Sequence, residues 1–409
     1  MATPSCTTRF AQSIRPHLHS VTRSSSAARS SKHITPLSRM PTIYRKLSTT
    51  PSLSSQQQAK QFTYNVAASY IAKDRPYDPS THVFHFNPYN RVQPPRKHTK
   101  RTRPDSGQDA FFVTRLNTGG VALGVADGVG GWMDSGVDPA DFSHGFCDYM
   151  AQAAYSHSSS GDPRAQNLTA RSLMQTGYEA ICGDPAVTAG GSTAIVGLLE
   201  PSGTLEVANL GDSGYIHLRL NAVHGSSDPQ THAFNTPFQL SIIPPWILRR
   251  MSAFGGSQLA DMPSDAEVSR LSLRHGDVLV FATDGVWDNL FNQDILRIVS
   301  AAMEGSGAWV HSDAGGIRVR PDLSPFTNTS SSGDGDGRAA SLQSLIATSI
   351  TGAAKAASVN TKLDGPFAKE VKKYYPMETW RGGKVDDICV VAVVVSETTS
   401  DDAPVKAKL

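Results

Sequence analysis

The chain has 409 residues, 39% hydrophobic and 18% charged, enough for a globular core with appendages. Its formal charge of +2 hides an asymmetry: residues 1–73 carry ten Lys or Arg and no acid, and without them 28 basic residues face 36 acidic ones, a balance of −8. The acidic body lacks the basic footprint of a nucleic-acid partner, and the N-terminal segment has no run of about 20 apolar residues that would make a transmembrane helix.

That segment is rich in Arg and Ser and poor in acids, the composition of a mitochondrial transit peptide. YRKLSTT at 44–50, with Arg45 two residues before Leu47, is similar to a matrix-processing site. Residues 1–60 are read as presequence and linker. Residues 61–104 are read as a basic lead-in ending in RVQPPRKHTKRTR at 91–103, a solvated face. From 105 to 396 strand-like and helix-like segments alternate. GGVALGVA (119–126), TAIVGLLE (193–200), DVLVFAT (277–283) and ICVVAVVV (388–395) are nearly continuous apolar runs with β-branched residues, the pattern of well-buried strands. TLEVANLGDSGYIHLRL (204–220) reads as a hairpin with LGDSG as its turn. Helical patterns mark 142–155, 167–182, 288–303 and 339–357. Strands in runs and helices in separate pairs predict an α+β fold. The Gly-, Ser- and Asp-rich stretch 305–337 predicts a flexible surface insertion, and 397–409 a frayed tail. Cys6, Cys147, Cys182 and Cys389 form no CxxC pair and are read as reduced core thiols.

Acids punctuate the strand ends. Asp127 follows Ala126 in GVADGVGGW (124–132), Asp284 follows DVLVFAT, and Asp386 and Asp387 precede ICVVAVVV. Asp212 sits in the expected hairpin turn, Asp109 precedes Phe111 and Phe112, and Asp288 lies one helical turn past Asp284. A single Asp-Gly is an ordinary turn signal. Carboxylates at the ends of several neighbouring strands would instead converge, and such a cluster repels itself unless cations neutralise it. All-oxygen ligation without His or Cys suits Mg2+ or Mn2+ rather than zinc. Glycines beside Asp127 and Asp284 let the backbone approach an ion. Two ions about 3.5–4 Å apart are the usual arrangement for hydrolysing a phosphate ester.

GVADGVGGW, GGSTAIVGLL, ANLGDSGY, ATDGVWDNL and GGKVDDICVV, in this order, resemble the metal-dependent protein phosphatase family (protein phosphatase 2C type) across residues 105–396. VDPADFS (137–143) and FNTPFQLSIIPP (234–245) resemble its mitochondrial branch. The resemblance implies a four-layer α-β-β-α sandwich of two antiparallel sheets flanked by helices, with a dimetal site at one edge. It implies a serine/threonine phosphatase of the mitochondrial matrix, monomeric, dependent on Mn2+ or Mg2+ and acting on phosphorylated proteins. In that family's terms Asp127 bridges two ions, the Gly128 carbonyl binds one, and Asp284 and Asp386 hold the other. Asp212 and Asp288 match positions of a third, weaker ion, and Asp109 matches an acid that orients metal-bound water. Hydroxide held between the ions would attack phosphorus in line, with no phosphoenzyme. FNTPFQLSIIPP is expected in or near a flap beside the site.

Three departures stand out. Val129 replaces a His that many members offer as general acid, an absence the mitochondrial branch shares. Gln108 stands where an acid commonly precedes Asp109, and only Arg101 and Arg103 are near the place of a phosphate-binding Arg. Other enzyme classes match poorly. GDSG at 211–214 is followed by Tyr215 and fails G-x-S-x-G. GVGGWM does not complete G-x-G-x-x-G, and Gly383-Lys384 is followed by Val385 rather than Ser or Thr. The alternative of another class is a pseudophosphatase, the same fold used as a binding or scaffold protein. Gln108 favours it, and the presence together of Asp127, Asp284 and Asp386 opposes it.

Overall fold

ICVVAVVV has no polar alternation because both faces of its strand are covered. Val391, Val393 and Val395 pack between two sheets, while Val390, Ala392 and Val394 pack under helices. A computed structural model describes residues 61–86, 97–159, 168–253, 261–313, 315–328 and 340–398. The expected presequence and linker at 1–60, residues 91–96 of the basic run, residues 329–337 of the Gly-rich stretch and the tail beyond 398 lie outside the described residues.

Strand β1 (Gln61–Ile71) opens the fold and β2 (Val83–Phe86) folds back on it. The hairpin β3 (Asp109–Arg115) and β4 (Val121–Asp127) precedes helices α1 (Pro139–Ser159) and α2 (Ala170–Cys182). Next come β5 (Gly190–Ser192), β6 (Ala194–Leu199), β7 (Thr204–Leu210), β8 (Gly214–Arg219) and β9 (Ala222–Ser226). A side excursion holds β10 (Thr231–Ala233), β11 (Thr236–Pro237), β12 (Leu240–Ile242) and α3 (Pro245–Ala253). β13 (Glu267–Ser272) and β14 (Val278–Ala282) run into the short α4 (Asp284–Trp287) and then α5 (Asn292–Gly305). The pair β15 (Trp309–His311) and β16 (Ile317–Val319), the short α6 (Ser324–Thr327), then α7 (Leu342–Ser358), α8 (Pro366–Tyr374) and β17 (Ile388–Thr398) follow.

One sheet has the order β2-β1-β17-β14-β8-β9 and the other β13-β7-β6-β4-β3, with every neighbour antiparallel. Tyr64, Val66, Leu279, Phe281 and Val391 from the first meet Leu123, Val125, Ile195 and Val207 from the second. On the outer face of the first sheet, α5 and α7 bury Ile295, Val299, Ile346 and Ile350. On that of the second, α1 and α2 bury Phe142, Phe146, Met150, Leu173 and Ile181. Helix α2 starts cleanly because Thr169 Oγ1 accepts from the Ser172 amide and Ser172 Oγ accepts from the Thr169 amide. The result is the expected four-layer α-β-β-α sandwich.

Five expectations need correction. LGDSG is not a hairpin turn: β7 belongs to the five-stranded sheet and β8 to the six-stranded one, so the segment carries the chain between sheets. Residues 61–104 are not a mere lead-in, because β1 pairs with β17 from Gln61↔Thr398 to Ile71↔Ile388 inside the larger sheet. Its sequence hides this because Asn65 and Ser69 are buried yet satisfied, by Ser396 Oγ at 3.1 Å and the His82 carbonyl at 2.9 Å. Nor is the end of the basic run a bare solvated face. Lys97 pairs with Asp184 at 2.5 Å, His98 with Asp148 at 2.7 Å, and Lys100 and Arg103 both pair with Asp141 at 2.8 Å. In the expected insertion, β15, β16 and α6 are ordered elements, and Trp309 and Leu323 lie in the core. Of the cysteines, Cys147 and Cys389 are buried as expected, but Cys182 at the end of α2 is exposed, and Cys6 lies outside the described residues.

Candidate metal centre

The crossover between sheets has a consequence for the acids. Asp127 ends β4 in one sheet, Asp284 opens α4 directly after β14 in the other, and Asp212 lies in the crossing segment between them. One carboxylate oxygen from each of the three lies within 4.8 Å of the others. Asp386, just before β17, and Asp288, just past α4, join this group through Lys384. Its Nζ lies 2.6 Å from Asp284 Oδ2, 2.7 Å from Asp288 Oδ2 and 3.1 Å from Asp386 Oδ2.

Local hydrogen bonds fix Asp127 and Asp109. The Asp127 amide donates to Thr193 Oγ1 at 3.2 Å, and its carbonyl accepts from the Thr193 amide at 2.9 Å and Ser192 Oγ at 2.8 Å. Thr193 Oγ1 also meets Ser213 Oγ at 2.8 Å, tying the lock to the crossover beside Asp212. The Gly128 amide donates to the Gln108 carbonyl at 3.0 Å. A Cβ at Gly128 would stand 2.9 Å from that carbonyl and from Pro139 Cβ, so glycine alone lets the chain pass under α1. Asp109 faces Asp127 across the β3–β4 ladder and is 1% exposed. It accepts from Thr283 Oγ1 at 2.7 Å, one residue before Asp284.

Asp387 has a different task from its neighbour Asp386. Its Oδ1 accepts the Lys73 amide at 2.7 Å and its Oδ2 the Gln108 amide at 2.9 Å, tying the end of β1 and the approach to β3 onto the start of β17. Sequence reading missed this role, along with those of Ser192, Thr193, Thr283 and Lys384. Their one signal was membership of the quoted motifs.

Burial, and then the other carboxylates around them, holds Asp109 and Asp127 well above the usual carboxylate range. Asp212 is raised by burial and then by Asp284, against the pull of Lys384. Burial also lifts Asp288 to about 7 and raises Asp386, each partly offset by Lys384. Asp284 goes the other way: burial opposes ionisation, but the charge and hydrogen bond of Lys384 bring it below the usual range. Asp212 Oδ1 is buried with no hydrogen-bond partner. An all-carboxylate donor set, short of positive charge and with a buried oxygen of Asp212 left without a hydrogen-bond partner, fits a hard divalent cation.

The departures take structural form. The Val129 amide donates to the Gly191 carbonyl at 3.0 Å, and its side chain offers no proton. Gln108 Nε2 lies 2.9 Å from Met133 Sδ. Arg103 is spent on Asp141, and Arg101 is exposed. The cations paired with acids of the centre are instead Lys384 and Lys73, whose Nζ lies 3.9 Å from Asp386 Oδ1. FNTPFQLSIIPP sits beside the centre as expected. Phe234 packs on Phe367 with ring centroids 5.4 Å apart, and the Phe367 ring lies 5.2 Å from Lys384 Nζ. Trp132 Nε1 of GVGGW donates to Gln239 Oε1 at 3.0 Å in the same stretch.

A family model for protein phosphatase 2C matches residues 96–310. The chain belongs to the protein phosphatase 2C family. Protein phosphatase 2C homolog 7, mitochondrial, of Saccharomyces cerevisiae is 34% identical over 242 residues, 59% of this chain and 66% of its own length. The protein phosphatase PTC7 homolog of Xenopus laevis is 33% identical over 297 residues, 72% of this chain and 82% of its own. The human PTC7 homolog is 38% identical over 195 residues, 47% and 59% of the two chains. The photosystem II phosphatase PBCP shares the fold, with a TM-score of 0.51 and 22% identity across 83% of this chain and 99% of that one. This protein phosphatase 2C therefore falls in the PTC7 branch, and its activity class is metal-dependent hydrolysis of phosphoserine and phosphothreonine in proteins.

Proposed function

We propose that this protein dephosphorylates phosphoserine and phosphothreonine on proteins of the mitochondrial matrix, acting as a monomer with Mn2+ or Mg2+. The ions would be held by Asp127, Asp284, Asp386 and the Gly128 carbonyl, with Asp212 and Asp288 offering a further position. The convergence of Asp127, Asp212 and Asp284 oxygens within 4.8 Å carries this reading. When bound, such ions activate water and neutralise charge on the phosphoryl oxygens. The chain's own residues set the geometry. The paired bonds from Ser192 and Thr193 fix Asp127, and Asp109, steadied by Thr283 and opposite Asp127 in the β3–β4 ladder, would orient the attacking water.

The localisation rests on ten basic residues without one acid in 1–73 and on the mitochondrial yeast relative. With residues 1–60 as presequence, the catalytic unit runs from Gln61 at the start of β1 to the end of β17. The full-length chain should release phosphate from phosphoserine and phosphothreonine peptides with millimolar Mn2+, lose that activity in chelator and lose it in Asp127→Asn. An unchanged rate in that variant would overturn the metal assignment. Bound Mn2+ without turnover would point to the scaffold reading. A reporter fused to residues 1–60 should enter mitochondria, and a cytosolic signal would count against the targeting.

A further inference from the structure

Lys384 is a charged residue of this centre with no part in ligating an ion. Its position is built rather than incidental. Asn289 clamps its backbone, Nδ2 donating to the Lys384 carbonyl and Oδ1 accepting from the Lys384 amide, both at 2.9 Å. The preceding Gly383 lies so close to α7 that a Cβ would stand 2.1 Å from the Ala357 carbonyl. The side chain then runs inward, 15% exposed, along the ring of Phe367 to three carboxylates.

Two of its three acceptors, Asp284 Oδ2 and Asp386 Oδ2, belong to the pair that the metal reading assigns to one ion. Mg2+ sits about 2.0–2.1 Å from its oxygen ligands. An ammonium at 2.6 and 3.1 Å from those oxygens would therefore crowd such an ion, with like charges at short range in a poorly hydrated site. We propose that Lys384 is a resident counter-cation that competes with the divalent ion for Asp284 and Asp386. The ammonium holds the metal-free centre together, and metal loading displaces it. This rests on the metal reading of the same centre and adds a residue that sets how tightly that position is occupied.

The test compares full-length wild type with Lys384→Met, which keeps an aliphatic stem against Phe367. Mn2+ binding is followed by calorimetry and by the electron paramagnetic resonance of free Mn2+. The variant should bind Mn2+ at the position shared by Asp284 and Asp386 at least about tenfold more tightly, the scale on which groups around ligands alter metal affinity. Its metal-free form should also unfold at lower temperature than wild type, with the gap closing as Mn2+ is added. A measurement on wild type alone guards against a variant that fails to fold. Amine-reactive labelling read by mass spectrometry should modify Lys384 slowly in chelator and faster with Mn2+. Affinity in the variant no tighter than in wild type, or labelling indifferent to Mn2+, overturns the role of Lys384. Failure of wild type to bind Mn2+ at all would overturn the metal reading instead.

Discussion

At the scale of single residues, the centre trades stability for ligands. Asp127 is surrounded by Asp109, Asp212, Asp284 and Asp386, and burial and those charges together resist its ionisation. In the unfolded chain the same carboxyl ionises freely in water, so folding without metal works against it. Asp127→Asn removes that opposition and keeps the shape. The chelator-treated variant should melt higher than chelator-treated wild type. About 1 kcal/mol of relief corresponds to roughly 1–2 °C in a domain of this size. With saturating Mn2+ the order should reverse, because wild type gains binding energy that the amide forfeits. A variant that melts lower under both conditions would mean that Asp127 is already compensated within the fold. The acids themselves were legible, since each interrupts an apolar run at its end. Lys384, Thr283 and Asp387 were not, because each acts on a segment remote in the chain: Lys384 and Asp284 are 100 residues apart, and Thr283 and Asp109 are 174 apart.

Elements differ in how much of themselves they declare. β4, β6, β14 and β17 were readable because both faces are buried, so nearly every position is apolar. α1, α2, α5 and α7 were readable from their periodicity. LGDSG was not: the local sequence states that the chain turns, while the partner sheet of each flanking strand is decided by distant segments. The stretch after α5 misled for another reason, since its Gly and Ser content masks two anchoring side chains. Trp309 is 1% exposed and its Nε1 donates to the Gly276 carbonyl at 3.0 Å. Truncating a buried aromatic of this kind costs about 3–5 kcal/mol, whereas a surface insertion would tolerate the change within about 0.5 kcal/mol. Urea unfolding of Trp309→Ala decides between them, and a midpoint equal to wild type would restore the insertion reading.

For the whole molecule, the basic residues 97–103 laid against the acids of α1 make a seam whose charge state is tied to pH. His144 lies inside that seam, 4% exposed, with its Nε2 3.4 Å from the Gly107 carbonyl. Burial, and then the charge of Arg103, depress its pKa from 6.5 to about 4, against small opposing pulls from the Gly107 carbonyl and Asp148. Between those values the unfolded state binds the proton and the folded state does not. Unfolding therefore takes up a proton, and stability rises with pH across the window. The full contribution is present above 6.5 and is lost progressively as pH falls toward 4, amounting to about 3 kcal/mol for a shift of this size. His98 titrates with the opposite sign, because its hydrogen bond to Asp148 raises its pKa above 6.5, so that its stabilisation is full below 6.5 and is lost as pH rises through the raised value. The two histidines thus act on opposite sides of 6.5, and His144→Gln isolates one of them. Melting temperatures of wild type and variant measured from pH 4.5 to 7.5 should diverge most at the neutral end and converge on acidification. A difference between the two proteins that stays constant across that range would show that His144 is not held neutral by the fold.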